Sequence, residues 1–74
     1  MLNFYNATNY EQGTIVRVDQ AGRGDQFIVS LIDLDTMQLV GVRKYCPSAE
    51  RAACEYAQRV FEGKPLPGEL SPML

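Results

Sequence analysis

The sequence has no histidine. That removes the commonest general base at neutral pH and the commonest side-chain metal ligand. Cysteine is scarce, with only Cys46 and Cys54. Neither has a histidine to activate it as a nucleophile. In the helix expected around them they would stand about 12 Å apart along the axis. A disulfide needs Cα atoms within about 7 Å, so the two are expected as unpaired, reduced thiols that serve packing. Cations are also few. Lys and Arg number seven against nine Asp and Glu, for a formal net charge of -2. They are scattered, so no basic stripe is available to neutralise phosphates. The acidic excess is too small to mimic a nucleic acid. No apolar run approaches the roughly 20 residues of a membrane helix. Met1 is followed by Leu-Asn-Phe, without the basic region or apolar run of a secretory signal. The chain is therefore expected in the cytoplasm. Without a secretory signal, the glycosylation triplet Asn6-Ala7-Thr8 is read as chance.

What is present suffices for one small domain. The chain has 74 residues, 46% of them apolar, which is normal for a globular protein. A chain of this size buries only about 60% of its unfolded surface, so the core is thin. In SAERAACEYAQRVFEG, the residues Ala49, Ala52, Ala53, Tyr56, Ala57, Val60 and Phe61 fall on one face of a helix. Ser48 is the expected N-cap, and Gly63 followed by Pro65 is the expected stop. The early face is almost all alanine, which lets a helix sit close to a sheet.

Strand-like runs precede the helix. Thr14 to Asp19 alternates, with Val16 and Val18 opposed to Ile15 and Arg17. Gln26 to Asp33 is apolar on both sides, with Phe27, Val29 and Leu31 against Ile28 and Ile32. Met37 to Lys44 sets Val40 and Val42 against Leu39. The linkers QAGRGD and DLDT read as hairpin turns, although Met37 stands where such turns often carry glycine. The expected fold is α+β: an antiparallel three-stranded meander with one C-terminal helix on one face, β-β-β-α. Residues 1–13 are expected as an irregular aromatic arm, 14–63 as the domain and 64–74 as a Pro-rich flexible tail. One helix covers one face, which leaves Ile15, Ile28, Ile32 and Leu39 on the other. The opening MLNFYNATNY is expected to fold over that face, to present aromatic rings to a partner, or both.

Few motifs suggest chemistry. Asp33-Leu34-Asp35-Thr36 has the outline of a cation site, but its neighbours Ile32, Met37 and Leu39 offer no further oxygen ligands, so turn capping is favoured. Gly22-Arg23-Gly24 is a hairpin tip rather than a phosphate loop, because no helix follows it. Cys46 near a helix start is a candidate for a lowered thiol pKa. Arg43, Lys44 and Arg51 are read as a solvated edge. No metal or cofactor is expected, and no enzyme. A core this small does not enclose a ligand cavity of several hundred cubic ångströms. Binding is the function that remains.

The run FIVSLIDLDTMQLVGVRKYCPSAERAACEYAQRVFEG, strand-turn-strand-helix, looks like a pattern common among tiny phage proteins. In size, acidity and plan the chain is similar to the host-takeover proteins of lytic phages, of the type that regulates transcription by binding bacterial RNA polymerase. That resemblance implies a stoichiometric protein-protein inhibitor in the host bacterial cytoplasm, which occludes or displaces another factor. It carries no functional residue across. From the residues themselves, the partner-binding anchors are expected at Leu2, Phe4, Tyr5 and Tyr10, with Arg23 as a charged contact. The chain is expected to be monomeric when free. Alternatives are an inhibitor of another host complex such as a CRISPR complex, a small nucleic-acid-binding module, or a dimer formed by open sheet faces.

Overall fold

The computed structural model describes residues 1–63 and the short strand Ser71–Pro72. The chain runs β1 (Leu2–Asn9), β2 (Thr14–Gln20), β3 (Phe27–Asp33), β4 (Leu39–Tyr45), α1 (Glu50–Phe61) and β5 (Ser71–Pro72). All strands form one antiparallel sheet in sequence order. The α+β class, the meander and the single helix are as expected. The strand count is not. The opening segment is no irregular arm but an eight-residue strand at the sheet edge. The remainder of the tail expected at 64–74 lies outside the described residues.

The alternation of β2 and β3 decides the core. Val16 pairs with Leu31, Val18 with Val29 and Gln20 with Phe27, so these side chains share one face. Val16, Val18, Phe27 and Val29 are buried there against Ala53, Tyr56, Ala57 and Val60 of α1. Alanines at 53 and 57 bring the helix close to the sheet. The helix is turned slightly from the expected face, so that Ala52 is exposed and Cys54 half-buried. Ala49, not Ser48, is the N-cap, and no side chain caps it. Ser48 is instead engaged with Cys46, its Oγ 3.3 Å from the Cys46 Sγ. Gly63 stops the helix at φ +77°, with its N–H donating to the Val60 carbonyl.

Bulges explain where the simple alternation fails. Between Asn3 and Tyr5 the β1–β2 register shifts, with Phe4 as the extra residue. Adjacent Phe4 and Tyr5 thereby both turn to the helix side. Phe4 packs edge-on against Phe27 with centroids 5.1 Å apart, and Tyr5 packs on the core. In β4 the extra residue is Val40, since Leu31 pairs with Gly41 and Ile32 with Leu39. Val42 therefore stands on the open face with Leu39, not opposite it. Gly41, Arg43 and Tyr45 face the helix. Arg43 is accordingly not part of a solvated edge: its guanidinium carbon lies 5.0 Å from the Tyr45 ring centroid and 5.8 Å from that of Tyr56.

The hairpins behave as their residues imply. In the β3–β4 turn the Asp33 carbonyl accepts from Met37 N–H at 2.7 Å, and the Asp33 carboxylate accepts from Asp35 N–H at 3.0 Å. Met37 takes φ +59°, the left-handed conformation that glycine usually fills. In the β2–β3 loop, the buried Gln20 side chain donates to the Asp25 carbonyl at 2.8 Å and ties the loop down.

Candidate functional site

The expected anchors do not form one surface. Leu2, Phe4 and Tyr5 belong to β1 and point to the helix side, since Leu2 pairs with Gln20 and Tyr5 with Val18. They neither cover the open face nor stand free of the core. Leu2 and Phe4 remain 40% and 38% exposed, so only their outer flanks are available. Burial, and then the Glu62 carboxylate and the Cys54 thiol, push the Tyr5 hydroxyl pKa up. Tyr10 is in the β1–β2 turn, 82% exposed. Arg23 is exposed in the β2–β3 loop, at the far end of the same strand. The length of β2, about 20 Å at 3.3 Å per residue, separates the two.

The surface that the structure does assemble is the open face. Register places three rows across it. Asn3, Asp19, Ile28 and Lys44 form the first, and Asn6, Arg17, Ser30 and Val42 the second. Thr8, Ile15, Ile32 and Leu39 form the third. Ile15, Ile28, Ile32 and Leu39 share this face as expected from alternation, and the Val40 bulge adds Val42. The third row lies at the end where two turns meet, tied by the Leu34 N–H to the Gly13 carbonyl at 2.9 Å. Exposed Met37 and Leu39 stand at that end. Polar groups cross the middle. Asp19 accepts from Arg17 Nη2 at 3.2 Å and from Asn3 Nδ2 at 2.9 Å. This pairing holds a buried carboxylate on the open face and occupies the face's most central cation.

The cations are dispersed. Arg17 is bonded to Asp19, Arg43 is stacked under the helix, and Arg51 pairs with Glu55 along the solvent side of α1. Among the described residues no row of cations follows a backbone of phosphates. Among the described residues no group of His, Cys, Asp or Glu is arranged to hold a metal ion. No helix among them is long and apolar enough to cross a membrane.

Both thiols are free. Cys46 is exposed, and hydrogen bonds from the Ser48 side chain and then its backbone lower its pKa below the ordinary thiol value. Half-buried Cys54 moves the other way, first through burial and then through the nearby Glu50 carboxylate.

No family model, curated protein or solved structure matches the chain.

Proposed function

We propose that this chain is a non-enzymatic binding protein that docks on a larger protein complex through the open face of its sheet. One observation carries the reading: Ile15, Ile28, Ile32, Leu39 and Val42 share the face that α1 leaves uncovered. An aliphatic field at one end of the face, beside a fixed Arg17–Asp19 pair across its middle, supports a protein interface: exposed apolar area for affinity and polar groups for register. The partner implied by the resemblance is bacterial RNA polymerase, with occlusion or displacement of another factor as the mechanism. The field replaces the aromatic arm as the surface to test, because Phe4 and Tyr5 are engaged with the domain's own core.

The experiment is a titration of purified bacterial RNA polymerase with the labelled chain, beside promoter-dependent transcription in vitro. Saturable one-to-one binding with loss of transcripts is expected, and Ile32→Lys should abolish both while leaving the circular dichroism spectrum unchanged. If Ile32→Lys binds as the parent does, the open face is not the docking surface. If the polymerase does not bind at all, the transcription reading fails.

A further inference from the structure

β1 is the terminal strand of the sheet, and its outer edge has no partner among the described residues. The opposite edge is covered at Gly41 and Val42 by β5, which ends on a proline. The hydrogen-bond alternation shows which β1 groups face outward. Leu34 N–H donates to the Gly13 carbonyl, so position 13 and alternate positions after it in β2 bond towards β3. Thr14, Val16 and Val18 therefore bond towards β1, where they pair with Asn9, Ala7 and Tyr5. Asn6 and Thr8, between them, turn their N–H and C=O groups to the free edge.

Natural edge strands are usually short or carry lysine, proline or inward charge that blocks further pairing. β1 is eight residues long and has neither charge nor proline. Its one irregularity is the Phe4 bulge, across which the Asn3 amide folds back to the Tyr5 carbonyl at 3.0 Å. That confines regular edge to the stretch from Tyr5 to Asn9, and the centre of this stretch is Ala7, its smallest side chain.

We propose that two copies of the chain pair β1 against β1, antiparallel, about a two-fold axis at Ala7. In this register Asn6 lies opposite Thr8 of the partner subunit and Thr8 opposite Asn6 of the partner subunit. Each pair exchanges both of its outward backbone bonds. Ala7 takes the close, non-bonded position on the axis, where Cα atoms approach to about 4.5 Å and a small side chain fits. A second copy suits this edge better than a charged strand from elsewhere. Two uncharged strands meet without repulsion, whereas β1 offers no ion to complement a charged one. The two-fold axis stands perpendicular to the sheet, so both helices lie on one side and both open faces on the other. The sequence-based expectation is a free monomer with residues 1–13 as an irregular arm. As an edge strand, the same segment is a pairing surface.

Sedimentation equilibrium on the full chain alone, from low micromolar to near-millimolar concentration, tests the pairing without any other partner. The mass should rise from 8.3 kDa towards twice that value. Thr8→Pro removes an outward N–H and no bond to β2, a placement that edge strands tolerate. It should weaken association about tenfold or more with the circular dichroism unchanged. Should Thr8→Pro fail to fold, the double variant Asn6→Glu with Thr8→Glu serves instead. It sets carboxylates opposite one another across the axis while the one at position 6 faces Arg17 within its own subunit. Its association should be lost at low salt and partly restored by salt. A mass of 8.3 kDa throughout, or a dimer that survives these substitutions, overturns the proposal.

Discussion

Met37 shows how much one residue's backbone can oppose its side chain. Its φ of +59° suits glycine, and its side chain is exposed, so little packing offsets the strain. Met37→Gly should therefore stabilise the domain by about 0.5–1 kcal/mol, seen as a higher urea midpoint at unchanged slope. A lower midpoint would mean that the Met37 side chain contributes more than its exposure suggests. The two cysteines differ in the same residue-by-residue way. Hydrogen bonds from Ser48 favour the Cys46 thiolate, and burial disfavours that of Cys54. The rate of iodoacetamide alkylation, followed by mass spectrometry against pH, should rise at lower pH for Cys46 than for Cys54. Ser48→Ala should move the Cys46 profile towards higher pH. Coincident profiles in the parent protein would remove the role assigned to Ser48. The candidate N-cap in the sequence is thus a thiol partner in the structure. The pattern Pro-Ser-Ala-Glu does not reveal which of the two a serine serves, because both uses place it beside a helix start.

At the scale of the element, alternation and its interruptions account for what the sequence did and did not disclose. β2 and β3 are regular, and their inward residues Val16, Val18, Phe27 and Val29 are legible from spacing alone. β1 is not, because the bulge turns neighbouring Phe4 and Tyr5 to one side, and no period-two pattern survives. Val40 inverts β4 in the same way, which sends Arg43 under the helix and Val42 to the open face. The helix was legible from its small-residue face, with an error of rotation. That rotation can be tested. Ala53 is buried against the sheet and Ala52 is exposed. Ala53→Leu should cost about 1–3 kcal/mol by overpacking, whereas Ala52→Leu should be near neutral. Equal costs would place the helix where its sequence pattern first suggested. Phe4→Ala belongs with these variants. Loss of the edge-on contact with Phe27 should cost about 1 kcal/mol, so the substitution measures β1 docking rather than a free epitope.

The sheet is two-sided, with one face covered by α1 and the other open among the described residues. One helix cannot cover both faces of a sheet, and the chain commits α1 to the valine face. The strand β1, which a reader of the sequence would spend on covering the other face, extends the sheet sideways instead. The aliphatic field therefore stays open among the described residues, so the proposed binding surface and the core lie on opposite sides of the same strands. Two positions in β3 separate the two. Val29 is fully buried under the helix, and Ile32 stands half-buried on the open face. Val29→Thr places a hydroxyl in the core and should cost about 2 kcal/mol or more. Ile32→Thr loses only cross-strand contact with Ile15 and Leu39, on the order of 1 kcal/mol or less. Urea unfolding of both variants, read beside binding of an apolar dye, separates a core residue from a surface one. Ile32→Thr should lower dye binding by the folded protein with a small change in midpoint. If it lowers the midpoint as far as Val29→Thr does, the open face is a second core, and a binding role for it fails on stability grounds alone.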